Sequence, residues 1–482
     1  MSDRRPAVVV LGGGPGGYEA ALVAAQLGAG VTVVERDGVG GAAVLTDCVP
    51  SKTLISTADS MALLGQAAGL GVRFAAPDGG AAGGSIASDR TGTVPDDVAW
   101  ADLPAVNKRV LSLAAAQSQD IAARLDSDGV RVCRGIGRLR SATSVQVESP
   151  TGQVEDVPAD VVLVATGATP RVLPSARPDG DRILTWQQIY SLPEVPERLV
   201  VIGSGVTGAE LAHAYLGLGS QVVLVSSRDR VLPGEDADAA AVIEEVFRRR
   251  GMQVLGRSRA AGVERTAAGV VVRLQDGRRI EGSHALLAVG SVPQTGDIGL
   301  PEAGVECGAA GHVQVDRVSR TSVRGIYAAG DCTGVLPLAS VAAMQGRIAM
   351  WHALGDAVPP LNLRAVSANI FTDPEIATVG HTQEDVDQGR IQARSLMLPL
   401  ATNPRAKMQN VSDGFVKLFA RTGTDVVVGG VVVAPRASEL IFPVALAVQH
   451  KLTVDHVAQT ITVYPSMSGS IAEAARRLHS TG

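Results

Sequence analysis

Residues 7–17, Ala-Val-Val-Val-Leu-Gly-Gly-Gly-Pro-Gly-Gly, decide the fold of the first part of this 482-residue chain. The apolar, β-branched run at 7–11 predicts a buried strand. The glycines that follow have the spacing Gly-x-Gly-x-x-Gly and open a predicted helix that extends to about Leu27. A second Val-rich run, 31–34, predicts another strand and ends in Glu35. The three spaced glycines are Gly12, Gly14 and Gly17.

This strand–turn–helix–strand order is typical of a dinucleotide-binding βαβ unit. Glycines in the turn allow the backbone to approach a pyrophosphate at the helix N-terminus. An acid at the end of the second strand accepts a hydrogen bond from a ribose hydroxyl. The stretch therefore predicts one dinucleotide site that includes Glu35, and the alternative of a plain βαβ turn fits this complete pattern less well.

A second copy of the same pattern begins at the apolar run 200–202. It continues with Gly203, Gly205 and Gly208, a helical stretch and the Val-rich run 222–225. Two copies predict two dinucleotides bound by one chain.

The two copies differ at the acidic position. Twenty-three residues separate Gly12 from Glu35, and the same spacing from Gly203 ends at Ser226. A carboxylate there would repel a ribose 2′-phosphate, whereas the run Ser226-Ser227-Arg228-Asp229-Arg230 offers hydroxyl and guanidinium groups that suit one. We expect NADPH to be accepted, with Ser226 and Arg228 as contacts. In the alternative, the arginines are solvated and Ser226 tolerates either cofactor.

Composition and charge narrow the class of protein. Alternating strand and helix patterns with 55 glycines favour an α/β fold. A net charge of −5 argues against nucleic acid as a partner. The four cysteines lack metal-ligand spacing, so we expect no metal site, no structural disulfide and a cytoplasmic location. No signal peptide or membrane-spanning segment is expected, and the Gly- and Ala-rich residues 75–98 predict a mobile surface insertion.

Residues 40–52, Gly-Gly-Ala-Ala-Val-Leu-Thr-Asp-Cys-Val-Pro-Ser-Lys, resemble the active-site helix of the pyridine nucleotide–disulfide oxidoreductases. That family has Gly-Gly-Thr-Cys, four residues, then Cys-x-Pro-Ser-Lys, and its two cysteines form a redox disulfide beside the flavin. Ala43 replaces the first cysteine here and only Cys48 remains, so this helix cannot form the disulfide. Cys48 is then either a buried, inert thiol, which we favour, or a reactive thiol beside the flavin.

The resemblance covers nearly the whole chain outside 75–98. It implies FAD on the first βαβ unit, NAD(P)H on the second, and a C-terminal domain that forms a homodimer. The implied domains are an FAD-binding domain (1–172 and 298–354), an NAD(P)H-binding domain (173–297) and a dimerisation domain of α+β type (355–482). The implied cofactor-binding residues beyond the glycines and acids above are Gly41, Ala42, Cys48, Lys52, Thr166, Gly167, Gly290, Asp331, Leu338 and Ala339.

The C-terminal motif also departs from the family. Its His-Pro-Thr-x-x-Glu motif supplies an acid–base pair for thiol chemistry to the partner subunit, but here the run is Tyr464-Pro465-Ser466-Met467-Ser468-Gly469. A phenol with an ordinary pKa of about 10 is a poor proton shuttle for a thiolate. The nearby His450 and His456 lie outside the motif and are expected on helix surfaces.

The groups that serve flavin reduction are retained. The resemblance places Lys52 near flavin N5, with Glu210 as its carboxylate partner; the alternative for Glu210 is an ordinary helix residue. A cation there stabilises reduced flavin. Without a thiol relay, the acceptor must reach the flavin directly.

The sequence thus resembles the quinone reductases built on this scaffold. We expect ping-pong transfer of a hydride from NAD(P)H to FAD and then of two electrons to a quinone, with Tyr464 lining the acceptor site. The alternatives are a pyridine nucleotide transhydrogenase and an inactive dimeric flavoprotein that serves as a binding subunit.

Overall fold

The computed structural model describes residues 5–72 and 99–479. The predicted insertion at 75–98 lies outside that part of the chain. The chain divides into two compact units. The first comprises Met1–Ser51, Lys108–Arg171 and Gly290–Leu361, and the second comprises Lys52–Asn107, Val172–Val289 and Asn362–Gly482. The expected division into three domains, at residues 173, 298 and 355, stays a prediction.

The first unit is built on a five-stranded parallel sheet. Its strands, in spatial order, are Ile326–Ala328, Val161–Val164, Ala7–Leu11, Gly30–Glu35 and Arg131–Arg134. Both faces of the central strand Ala7–Leu11 are covered by other elements, which is why its residues are apolar on both sides. Val8 and Val10 belong to a core that includes helix residues, whereas Val9 and Leu11 pack with residues of a small antiparallel sheet. The predicted buried strand at 7–11 is confirmed.

The other elements of this unit surround that sheet. The antiparallel sheet has strands Ile136–Ser141, Ser144–Glu148 and Val154–Pro158, and a two-stranded ribbon pairs Ala168–Pro170 with Ser291–Pro293. The helices are Pro15–Gln26, Gly41–Leu45 and Ala339–Ala353, with a 3₁₀ turn at Asp331–Thr333. Two longer helices, Cys48–Gln66 and Leu103–Ser127, have residues in both units, and a 3₁₀ turn at Ala67–Leu70 follows the former.

The second unit contains another five-stranded parallel sheet. Its strands, in order, are Gln253–Leu255, Gln221–Val225, Arg198–Ile202, His284–Leu287 and Ile183–Thr185. The helices Val206–Gly217 and Ala237–Arg249 follow two of these strands, and a 3₁₀ turn occupies Ile189–Ser191. An antiparallel sheet of Ala260–Arg265, Val270–Leu274 and Arg279–Gly282 completes this second Rossmann-like fold.

The C-terminal part of the second unit is an antiparallel sheet with helices. The strands, in order, are Ser367–Ile370, Glu375–Gly380, Val427–Ala434, Phe415–Arg421 and Ala393–Pro399. The helices are Gln383–Asp387, Pro404–Met408, Ala437–Leu440, Phe442–Gln449, Val454–Gln459 and Gly469–Leu478, with 3₁₀ turns at Leu363–Ala365 and Leu400–Thr402. The expected class, two Rossmann-like folds with an α+β C-terminal part, is confirmed. Within the described residues, no helix has the length and apolar character needed to cross a membrane.

Candidate active site

The first glycine-rich turn is shaped by a very close backbone contact. A Cβ atom on Gly17 would lie 1.9 Å from the carbonyl oxygen of Gly12, so no larger residue fits. At Gly14, by contrast, an added Cβ would meet only the Cα atom of Gly41, at 4.0 Å. The turn is therefore tight at its base and open at its tip, where helix Pro15–Gln26 begins. This is the shape that admits a pyrophosphate.

Glu35 closes the same turn from the next strand. Its Oε2 accepts a hydrogen bond from the backbone N–H of Gly13 at 2.6 Å, and its Oε1 accepts one from the N–H of Asp37 at 2.7 Å. These bonds fix the carboxylate beside the glycine turn. A carboxylate has further acceptor positions, so a ribose hydroxyl can also donate to it.

A cavity of about 550 Å³ lies along this edge of the first unit. It brings together most of the residues assigned to FAD from the sequence. Those on its wall are Gly12, Gly14, Glu35, Gly41, Ala42, Cys48, Thr166, Gly167, Asp331 and Ala339. Gly17 instead lies under the turn, and half-buried Leu338 precedes helix Ala339–Ala353. Ala43 is also on the wall, so both positions of the missing disulfide face this cavity.

Two polar groups on the wall fit a bound cofactor. The hydroxyl of Thr166 is buried and has no hydrogen-bond partner among the residues the structure describes, which is unfavourable unless a ligand supplies one. Burial raises the pKa of Asp331, an effect that the nearby His312 opposes. A desolvated carboxyl of this kind gains from hydroxyl donors. Together with the open glycine turn, these groups fit FAD.

The second glycine-rich turn repeats the first in detail. A Cβ on Gly208 would lie 1.9 Å from the oxygen of Gly203, and nothing lies within 4 Å of one on Gly205. Gly203 N–H donates to the carbonyl of Val225 at 2.9 Å, as Gly12 N–H donates to Val34 at the same distance. The structure therefore makes Ser226 the equivalent of Glu35.

The side chain of Ser226 has a different role from the one expected. It is fully buried, and its hydroxyl accepts from Ser204 Oγ at 2.7 Å and from the backbone N–H of Arg228 at 3.1 Å. The expected direct contact with a phosphate is corrected: Ser226 shapes the loop from inside, because its hydroxyl replaces the missing backbone partners of a tight turn. Ser227, Arg228 and Asp229 are the exposed residues of this loop. Gly290, with φ of 90°, accepts a backbone hydrogen bond from Arg171 at the start of the two-stranded ribbon.

Lys52 and Glu210 form a nearly buried ion pair. Lys52 Nζ lies 2.7 Å from Glu210 Oε2, and the Glu210 side chain is only 3% exposed. Glu210 Oε1 accepts from the backbone N–H of Phe371 at 2.9 Å, and the Phe371 ring lies 5.0 Å from Lys52 Nζ. Both carboxylate oxygens are thus satisfied, which a buried acid requires. The expected pairing of Lys52 with Glu210 is seen.

Phe371 was missed as part of this group. The sequence around it resembles the start of the C-terminal domain, and nothing in that pattern indicates that its backbone N–H faces Glu210. Only the packing of the loop before Glu375–Gly380 against helix Val206–Gly217 brings the two together.

Cys48 and the residues that replace the family's acid–base pair, Tyr464 and Gly469, do not form a site for thiol–disulfide exchange. Cys48 begins a 19-residue helix that includes Lys52 one turn later, and none of the four cysteines is in a disulfide. Tyr464 is 82% exposed and its neighbours Ile461 and Val463 are also exposed. His456 is exposed and caps its own short helix with Thr453, and His450 is exposed, as expected for helix surfaces. Among the described residues, no cluster of three or more potential metal ligands occurs.

Comparison with known proteins agrees with this architecture. Residues 6–346 match the model of the pyridine nucleotide-disulphide oxidoreductases, and 366–475 match the dimerisation domain of that family. A protein of Mycobacterium tuberculosis named NAD(P)H dehydrogenase (quinone) is 55% identical over 98% of this chain and 93% of its own length. A dihydrolipoyl dehydrogenase of Chlorobaculum tepidum is 32% identical over 97% and 96%.

A solved structure shows the same fold. The crystal structure of LpdA from M. tuberculosis has a TM-score of 0.91 and 54% identity, and the match covers 98% of this chain and all of that one. Both family models match, both glycine-rich turns are present, and the relatives align over nearly the whole chain. These findings lead to the same conclusion. The chain belongs to the pyridine nucleotide-disulphide oxidoreductase family, whose members are FAD- and NAD(P)H-dependent flavoproteins.

Proposed function

We propose that this protein is an FAD-dependent NAD(P)H:quinone oxidoreductase. The strongest support is that the Lys52–Glu210 ion pair is retained while the groups for disulfide exchange are lost. Apart from Cys48, the positions of those groups are occupied by Ala43, Tyr464 and Gly469. A relative 55% identical is named NAD(P)H dehydrogenase (quinone), which supports the same activity.

The residues of the first unit would hold FAD. Gly14 and the N-terminus of Pro15–Gln26 would face the pyrophosphate, Glu35 the adenosine ribose, and Asp331 and Thr166 the remaining polar groups. When bound, the isoalloxazine ring would supply the chemistry, accepting a hydride from the nicotinamide and returning two electrons to a quinone.

Lys52 would act on the charge that develops during reduction. Glu210 and the Phe371 N–H hold the ammonium group in one position, so it needs no rearrangement when negative charge appears nearby. Its neighbour on the helix, Cys48, would be spectator packing on the cavity wall. Because no second thiol is present in this helix, electrons leave through the acceptor alone.

NADPH preference is part of the proposal. The position of the ribose-binding acid is taken by Ser226, and the loop it supports exposes Ser227, Arg228 and Asp229. Loss of the carboxylate removes repulsion of a 2′-phosphate, and the exposed guanidinium supplies a favourable partner.

The acceptor and assembly complete the proposal. The 366–475 match supports a homodimer, and the exposed Tyr464 would line the acceptor site of the partner copy. A cytoplasmic location is part of the proposal, because the spacing of the four cysteines favours neither a disulfide framework nor a metal site.

Anaerobic reduction of the purified protein tests the activity. NADPH should bleach the flavin without a thiolate charge-transfer band, and menadione should restore the oxidised spectrum whereas lipoamide should not. Reoxidation by lipoamide would overturn the proposal. Thio-NAD reduction by NADPH as fast as menadione reduction would favour a transhydrogenase, and a flavin that NAD(P)H does not bleach would favour an inactive binding subunit.

A further inference from the structure

The loop that Ser226 supports is joined to a second loop that was not assigned from the sequence. Strand Gln221–Val225 pairs in parallel with Gln253–Leu255, with Val225 opposite Leu255. The loops that leave these strands at the same edge continue the pairing. Ser226 N–H donates to Leu255 at 2.9 Å and Ser258 N–H donates to Ser226 at 2.7 Å.

The backbone of Arg257 lies against the backbone of Arg228 in this arrangement. Its backbone N–H donates to the carbonyl of Arg228 at 2.6 Å. The glycine before it permits this approach, because a Cβ on Gly256 would lie 2.8 Å from the carbonyl oxygen of Asp229. Both arginine side chains are exposed, and neither has an ion-pair partner within the part of the chain that the structure describes.

The backbone of Arg257 has an unusual conformation for an arginine. Its φ is 50°, in the left-handed region that favours glycine. Beneath it, Ser258 is 1% exposed, and its hydroxyl accepts from Arg278 Nη2 at 2.6 Å and donates to the carbonyl of Gly256 at 3.0 Å. The buried, hydrogen-bonded Ser258 thus holds Arg257 in a backbone conformation that a glycine would adopt at lower cost. Such a feature points to function rather than to stability.

We infer that Arg257 and Arg228 together form a site for the ribose 2′-phosphate, with Arg257 as a specificity-determining residue for NADPH. The two exposed arginines stand on loops that backbone hydrogen bonds hold together, so one phosphate bound between the loops can accept hydrogen bonds from both guanidiniums. They stand at the carboxyl end of the parallel strands, where dinucleotides bind in folds of this type. Asp229, which follows Arg228 in the same exposed loop, adds one negative charge that a second arginine would offset. The inference rests on the proposed use of NADPH.

Binding of adenosine 2′,5′-bisphosphate and of AMP to the FAD-loaded protein tests it without turnover. Wild type should bind the bisphosphate more tightly than AMP. Arg257→Gly, which suits the backbone conformation, should weaken bisphosphate binding by about tenfold and leave AMP binding unchanged. Arg257→Lys should keep part of the affinity. Arg259→Ala is the matched control, an exposed arginine two residues away, and should have no effect.

The outcomes separate the two proposals. If wild type does not distinguish the bisphosphate from AMP, the NADPH preference itself is wrong. If wild type distinguishes them but Arg257→Gly does so equally well, Arg257 is not part of the site. Equal loss of both ligands in Arg257→Gly would show a structural role in the loop and would also overturn the inference.

Discussion

Single residues decide what this scaffold can transfer electrons to. Ala43 and Tyr464 each remove a group that thiol chemistry needs, whereas Lys52 and Glu210 remain as a pair 2.7 Å apart. The structure adds that Glu210 is buried and bonded on both oxygens. A charge held so firmly suits the stabilisation of a reduced flavin and has no evident use in simple packing.

Replacing Glu210 by Gln should slow flavin reduction. The amide keeps the size of the side chain but removes the charge that holds the Lys52 ammonium. We expect the rate of flavin bleaching by NADPH to fall about 10- to 100-fold, measured by stopped-flow absorbance. Glu264→Gln, which removes an exposed ion pair with Arg273, is the control and should leave the rate unchanged. An unchanged rate in Glu210→Gln would contradict the assigned role of the pair.

Substitution of Tyr464 by His or Phe should affect only the acceptor half of the cycle. Tyr464 is exposed within its own chain and is assigned to the acceptor site of the partner. We expect the KM for menadione to change about threefold or more, by loss or gain of one side-chain contact, and the rate of flavin bleaching by NADPH to stay the same. Tyr464→His should not confer lipoamide activity, because Ala43 still prevents a disulfide. If both variants match wild type with menadione, Tyr464 has no contact with the acceptor.

At the scale of elements, the strand–turn–helix unit occurs twice with nearly the same backbone. The contact between the first and third glycines is 1.9 Å for an added Cβ in both copies, and the middle glycine is open in both. The sequence spacing indicated this arrangement, since the glycine-rich pattern exists for it. In each copy the third glycine is therefore required for packing, whereas the middle glycine leaves space for a ligand.

The substitution Gly208→Ala should lower stability, whereas Gly205→Ala should weaken NADPH binding. Gly208→Ala pushes a methyl group into the Gly203 carbonyl and should lower the free energy of unfolding by about 3 kcal/mol, measured by urea denaturation. Gly205 has φ of −72° and open space, so Gly205→Ala should leave stability nearly unchanged. Its methyl group would instead occupy the place of the pyrophosphate and weaken NADPH binding. Equal destabilisation by both would contradict this division.

At the scale of the whole molecule, acid sensitivity should come from carboxylates tied to loop backbones. Desolvation opposes ionisation of Asp179, but the N–H groups of Ile183, Asp181 and Arg182 and the guanidinium of Arg265 together lower its pKa to about 2 from 3.8. Because the folded pKa lies below the unfolded one, the stabilisation is complete above pH 3.8 and is lost as the pH falls towards 2.

Asp179→Asn should therefore flatten part of the acid limb of the stability curve. Because solvent screens this exposed group, we expect about 1 kcal/mol less stability at neutral pH than wild type. The difference should disappear near the folded pKa, as measured by urea denaturation across pH. Asp276→Asn, in an exposed pair with Arg278, is the control and should cost much less. A difference that persists unchanged at low pH would show that Asp179 acts through packing.

Assembly should depend on the exposed apolar run near the C-terminus. Ile461 and Val463 are 98% and 78% exposed, and they lie within the match to a dimerisation domain. Ile461→Glu should place a charge in the interface and shift the protein from dimer to monomer in analytical ultracentrifugation. Val154→Glu, at another exposed valine, should leave the dimer intact. A wild-type protein that is monomeric would contradict the proposed homodimer.

The sequence by itself determined the two dinucleotide folds, because glycine spacing and apolar runs are local and leave little choice of backbone. It also determined the loss of disulfide chemistry, since Ala43 has no thiol in any fold. Only the tertiary structure showed that Ser226 is buried, that Phe371 completes the Glu210 site, and that Arg257 lies against Arg228. These three findings depend on contacts between separate segments of the chain or on the direction of a side chain. The spacing of residues in the sequence indicates neither the contacts nor the direction.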